Sequence, residues 1–190
     1  MDTCDYKEIF PRLKRCRAVL YEVLRLYPPV PAMPSIASNG TQTLDINGQT
    51  LIIPEGMNLT VNLRAMQMHP QYWSGGRSWQ PSRWISNPAP ANSPSADQIA
   101  DECLLVPNKH IFFPWGEGPQ ICPGKKFAEV EAVAVLAYLC QAHRILIKRH
   151  VRESDDAVRK RADKCLNDVD LEMLVRLRDA DQVTLICKEA

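Results

Sequence analysis

Apolar residues recur at steps of three and four from about Arg12 to Tyr27, at Leu13, Cys16, Leu20, Val23, Leu24 and Tyr27. That spacing is the signature of an amphipathic helix. Pro28 and Pro29 end it, because proline brings no N–H and its ring clashes with the turn before it. Proline-punctuated chain follows to about Gly40. The period then changes to two. Residues 43–46 and 49–53 flank Asn47-Gly48, the pair that a type I′ turn requires, which predicts a β-hairpin. Pro54, Glu55 and Gly56 turn the chain, and Met57, Leu59 and Val61 alternate with polar neighbours as a third strand.

Further along, 64–81 predicts a short helix and then a loop carrying Trp73 and Trp79, with Trp84 just beyond. Residues 87–95 (NPAPANSPS) read as an exposed, low-complexity insertion. Residues 107–123 are loop-like but rich in glycine and aromatics. A helix is expected from about Gly124 into His143, and its apolar run from Ala132 to Cys140 has no polar face. Such a helix requires protein on every side, more than a chain this short can supply. A charged helical stretch spans 154–164. Two strand-like runs, 171–177 and 182–187, are linked by a turn and read as a last hairpin. No repeat is visible, and helices with antiparallel strands make an α+β protein.

Composition narrows the function. The 190 residues (21.5 kDa) fit one domain by length, and 45% hydrophobic with 24% charged residues is ordinary for a folded chain. Lys and Arg number 23 against 22 Asp and Glu, so no charge excess points to nucleic acid or an anionic membrane. All 15 prolines lie between Pro11 and Pro123. Seven scattered cysteines show neither CxxC nor another metal-ligand spacing, which argues against a disulfide framework or a zinc site. No apolar leader follows Met1, and the run at 132–140 is too short to span a bilayer. As written, the chain is expected to be intracellular and soluble.

The densest chemical signal is the string from Phe112 to Lys126, FFPWGEGPQICPGKK. Cys122 precedes a predicted helix, with Pro123 suited to the first helical position. Free N–H groups and the positive end of the helix dipole there favour a thiolate, which is a nucleophile or a metal ligand. Gly116, Gly118 and Gly124 remove side chains around it and let something flat approach the main chain, and Trp115 offers an aromatic wall. A lone Cys-Pro-Gly reads more simply as a small buried-type residue in a tight loop. A Cys-His nucleophile is a third reading, but His69, His110, His143 and His150 sit in no recognisable signature for it.

The whole string resembles the heme-binding loop of the cytochrome P450 family, its fungal members in particular. The resemblance implies that Cys122 is the thiolate ligand of heme iron, that Trp115 lies against the heme b group, and that Gly118 and Gly124 permit its close approach. At Gln120 the family usually has an arginine that pairs with a heme propionate; glutamine still offers a hydrogen bond but no charge. Glu22-Val23-Leu24-Arg25 resembles the family's helical Glu-x-x-Arg, and the segment 79–84 (WQPSRW) resembles the one whose arginine, here Arg83, completes a structural Glu-Arg-Arg cluster. Counted around the helix, Glu22 and Arg25 lie opposite the apolar stripe. By spacing they are therefore a solvated pair, and only the resemblance implies burial. Lys125 and Lys126 stand where the helix dipole opposes positive charge. They are either solvated or part of a face that docks an acidic reductase.

The resemblance implies the C-terminal part of the family's mainly helical fold with small antiparallel hairpins, so 1–190 is expected to be a portion of one larger domain. It implies a monooxygenase that inserts one oxygen atom from O2 into an organic small-molecule substrate, with electrons from NADPH arriving through a cytochrome P450 reductase. Full-length relatives are usually anchored in the endoplasmic reticulum membrane. The family's distal helix with its acid-threonine pair has no counterpart in the sequence. The chain by itself is therefore expected to retain heme weakly and not to turn over. The alternatives are a truncated non-enzymatic remnant, an incomplete gene model or a split gene, and, within the heme class, an isomerase or peroxide-using activity.

Overall fold

The structure, a computed structural model, describes residues 5–190 except 38, 87–101, 106, 107, 172 and 173. The insertion predicted at 87–95 lies outside the described residues. The chain opens with α1 (Tyr6–Arg12) and α2 (Lys14–Leu26). Strands β1 (Ala32–Ile36), β2 (Gln42–Ile46), β3 (Gln49–Ile53) and β4 (Asn58–Asn62) follow, then the short helix α3 (Leu63–Gln67). A 3-10 turn at Pro81–Trp84 leads into β5 (Ile85–Ser86), which pairs with β6 (Cys103–Leu104). Beyond these come α4 (Lys125–Ala142), β7 (His143–Ile147), α5 (Asp155–Asn167), β8 (Val169–Leu171), β9 (Val175–Leu177) and β10 (Leu185–Glu189). Among the described residues the strands form five two-stranded antiparallel ribbons.

The β2–β3 hairpin has the predicted register. Ile46 faces Gln49 across a two-residue loop, with Asn47 at φ 51° and Gly48 at φ 78°, the pair of positive angles that a type I′ turn needs. The predicted third strand, β4, pairs with β1 instead of extending that hairpin. β1 had read as proline-punctuated loop because of Pro34. In a two-stranded ribbon each strand keeps a free edge, where a missing N–H breaks no ladder bond.

The tail corrects a second expectation. The run 171–177 does not pair with 182–187: β9 folds back on β8, while β10 crosses to β7, Leu185 opposite Ile147 and Glu189 opposite His143. The Ser154 hydroxyl caps α5 by accepting from the Ala157 N–H (3.2 Å). Arg161 ties α5 to both strands' ends, pairing with Glu153 and donating to the Lys148 and Gln182 carbonyls (2.9 and 2.7 Å).

The core lies between α2, the tryptophan loop and the start of the cysteine loop. Ala18, Tyr21, Leu24, Trp73, Trp84 and Phe112 form one buried cluster, with Trp84 and Phe112 ring centroids 4.9 Å apart and Tyr21 edge-on to Trp84 at 5.5 Å. α4 packs on α2, yet within it Val133 is the buried apolar residue, while Phe127 and Tyr138 are 72% and 76% exposed. The predicted need of α4 for protein on every side is thus unmet among the described residues. Among the described residues no helix is long and apolar enough to cross a membrane.

Candidate functional site

Phe112 enters the cysteine loop from the aromatic core. The chain then turns at Gly116, whose N–H donates to the Phe113 carbonyl (2.9 Å). Gly116 holds φ +78°, and a Cβ there would stand 3.1 Å from the Met33 methyl, so both angle and space select glycine. Gly118 holds φ +83° in open space and starts a 3-10 turn that runs to Gln120. The Cys122 N–H returns to the Trp115 carbonyl (2.8 Å), which closes the loop; Trp115 is half-buried and packed on the aromatic cluster. Gln120, Ile121 and Cys122 are exposed.

The helix starts later than expected. Pro123 is not its first residue: the Lys125 N–H donates to the Cys122 carbonyl (3.3 Å), closing a turn through Pro123 and Gly124, and α4 begins at Lys125. The glycine is the reason, since it stabilises a helical interior poorly and takes the cap position instead. No side chain caps α4; its first N–H, that of Lys125, is taken by the Cys122 carbonyl. A Cβ on Gly124 would lie 3.7 Å from Cys122 Sγ; in its absence the sulfur's flank is open. An exposed thiol, an uncapped helix start and a bare Cα beside it suit a large flat ligand centred on the sulfur. Beneath the loop lies a cleft of about 270 Å³ lined by Tyr21, Phe112, Trp115, Ile121, Lys125 and Glu129. Lys126 Nζ lies 5.2 Å from the Phe10 ring centroid, and both lysines are exposed.

Behind the loop, Glu22 and Arg25 are each 0% exposed, which overturns the solvated reading that helical spacing favoured. The Glu22 carboxylate accepts from Arg25 Nε and Nη2 (2.9 and 2.8 Å), Arg83 Nε (3.2 Å), Trp84 Nε1 (2.9 Å) and the Gln80 N–H (2.8 Å). Arg25 also donates to the carbonyls of Gln67, Gly76 and Ser78 (2.9, 2.5 and 3.1 Å) and stacks 5.3 Å from the Trp73 ring. Arg83 donates to the Ser74 carbonyl (3.0 Å). Two members were not legible in the sequence. The Gln67 amide donates to the Leu24 and Arg25 carbonyls (3.1 and 3.3 Å) at the end of α2. Gly76 lies so close to the Met68 backbone that no Cβ fits. No spacing rule marks either; Trp84 at least adjoins Arg83.

Burial by itself would push the Glu22 carboxyl up. The Arg25 and Gln80 donors, the Arg25 charge and the Trp84 N–H together hold it below its ordinary value of 4.5. Glu153, paired with Arg161 and accepting from the His150 N–H, is lowered to about 2. In both, the folded state binds protons less readily than the unfolded chain. Their contribution is therefore complete above pH 4.5 and falls away as pH drops below it, toward 2 for Glu153. A thermal melt is expected to show little dependence on these groups from pH 7 to 5 and a progressive fall below 4.5; a midpoint that stayed level down to pH 3 would contradict it.

An exposed cysteine on a glycine-rich loop, linked through Phe112 and Trp84 to the Glu22, Arg25 and Arg83 cluster, defines the site. The cytochrome P450 family model matches residues 6–162, and the chain belongs to that family. It is 28% identical over 148 residues to a cytochrome P450 monooxygenase of Arthrobotrys oligospora, covering 74% of this chain and 25% of that relative. It is 32% identical over 135 residues to cytochrome P450 71D18 of Mentha gracilis, covering 71% and 23%. The crystal structure of the cytochrome P450DA heme domain superposes with a TM-score of 0.65 at 18% identity, over 100% of this chain and 34% of that one. The fold is accordingly part of a P450 fold, and the chain spans about a quarter of the length of the curated relatives it matches.

Proposed function

We propose that residues 1–190 form the C-terminal, heme-thiolate portion of a cytochrome P450 monooxygenase, with Cys122 as the iron ligand. The supporting observation is the sulfur itself, exposed at an uncapped helix start with Gly124 opening its flank. Bound heme b supplies the oxygen-activating chemistry by which one atom of O2 enters an organic substrate. The chain's own residues hold and orient. The Cys122 N–H to Trp115 carbonyl bond fixes the backbone from which the sulfur projects. Trp115 and Gly118 shape the approach, and Gln120 offers a neutral hydrogen bond to a propionate. Glu22, Arg25 and Arg83 lock α2 to the loop that precedes the cysteine loop. Lys125 and Lys126 present a basic edge to a reductase that draws on NADPH. In the complete protein an endoplasmic reticulum anchor would come from chain beyond the matched part.

The exposed apolar side of α4, with Phe127 and Tyr138 largely in solvent, favours a second reading for this chain alone, a remnant that does not enclose its cofactor. Both readings meet in one measurement. The purified chain is mixed with heme, reduced under carbon monoxide, and its spectrum taken before and after gel filtration. The expected result is a weak thiolate-type band that is lost on filtration and absent in Cys122→Ala. A band that survives in Cys122→Ala removes Cys122 as the ligand, whereas a thiolate-type band stable to filtration overturns the remnant reading.

A further inference from the structure

On the far side of α2 from the cysteine loop lies a second, larger cavity of about 570 Å³. Val23 lines it, two positions from the Tyr21 that faces the loop's cleft; at 3.6 residues per turn the two point about 200° apart. Its apolar wall is Val23, Trp79, Leu166, Val169, Val175 and Leu177. The last four lie beyond residue 162, where the family match ends, so α5 and the β8–β9 ribbon build most of this wall. Val23 and Tyr27 belong to the predicted apolar stripe of α2, yet Val23 remains exposed: that end of the stripe faces a space that the described residues leave unfilled. The volume falls within the roughly 300–1,000 Å³ of small-molecule sites.

Charge narrows the ligand. The charged residues in the lining are Asp163 and Arg176, one of each sign, and Arg176 lies 3.6 Å from the Asp170 carboxylate. The cavity therefore offers no net ionic attraction. Its uncharged donors are the Trp79 indole N–H and the Tyr27 hydroxyl; the Tyr27 phenol is pushed up by burial and by Asp163 against the opposing Arg64, so it keeps its proton at neutral pH. The geometry points to a binding site, separate from Cys122, for a neutral apolar molecule carrying one hydrogen-bonding oxygen, such as a medium-chain alcohol.

The test uses the full chain, the fluorescent probe N-phenyl-1-naphthylamine and 1-decanol as competitor. Saturable one-to-one probe binding, displaced by 1-decanol, is expected in the native chain. It should fall to background in Val23→Phe and in Leu166→Trp, which fill the cavity from opposite walls, with circular dichroism confirming that both remain folded. Tyr138→Ser, on the exposed side of α4, should bind as the native chain does. Absence of saturable binding to the folded native chain overturns the site, and so does binding that survives both filling variants or is lost in Tyr138→Ser. A second copy of the chain occupying the cavity would show as a dimer in sedimentation with no probe bound, which also overturns it.

Discussion

Arg25→Ala is expected to destabilise the fold by about 3–5 kcal/mol, the usual effect of stripping one partner from a buried ion pair. The substitution leaves the Glu22 carboxylate fully buried, with two of its five hydrogen bonds gone. It also takes the guanidinium donors from the carbonyls of Gln67, Gly76 and Ser78. Against a total of about 5–15 kcal/mol for a typical domain, the loss should shift most of the urea transition to lower concentration. The control is Arg149→Ala, which removes an exposed pair with Asp155 and should cost at most about 1 kcal/mol. Equal midpoints for the two variants would show that the buried cluster does not hold the fold. Glu22→Gln combined with Arg25→Met should recover part of the loss, because the fully buried charges are both removed, while the partly exposed Arg83 keeps its bond to the Ser74 carbonyl.

That cluster marks the limit of pattern reading. Where structure is local, the residues state it: Asn47-Gly48 specifies both the turn and the register of β2–β3, and Pro28 the end of α2. Where pairing is distant, they do not. Ile145, Leu146 and Ile147 carry strand-like side chains, but their partners at 185–187 lie some forty residues on, past a helix and another ribbon, and nothing in either segment names the other. α2 shows the same division. The helix was correctly placed, yet of its apolar stripe only Leu24 is buried, and the buried residues are Ala18, Tyr21, Glu22, Leu24, Arg25 and Leu26. A periodicity rule scores polar residues as outward, whereas a carboxylate with five donors is stable inside.

The cysteine loop was more legible, since its glycines, tryptophan and cysteine are contiguous and each position has a separate physical demand. What spacing misplaced was the helix start. Pro123 suits a first helical position, but Gly124 after it takes the cap and moves α4 on to Lys125. Two residues, Pro123 and Gly124, therefore separate Cys122 from the first helical residue, where the first-position reading of Pro123 left none.

Trp84→Ala is the other substitution expected to act strongly, at about 3–5 kcal/mol for emptying a buried aromatic site. Trp84 is 2% exposed and touches both halves of the framework. Its ring packs on Tyr21, Trp73 and Phe112, and its Nε1 donates to Glu22 Oε2. Trp84→Phe separates these roles, because it keeps an aromatic ring but removes the donor, and should cost about 1–3 kcal/mol for the lost bond to a buried carboxylate. Equal losses in the two variants would assign the effect to the hydrogen bond and not to packing. Phe112 carries the disturbance forward, since it stands at the entrance of the cysteine loop. In Trp84→Ala the Cys122 amide, bonded at 2.8 Å to the Trp115 carbonyl, is therefore expected to exchange its hydrogen faster than in Trp84→Phe. An unchanged exchange rate would mean that the loop holds its shape through its own glycine turns, independently of the aromatic core beneath it.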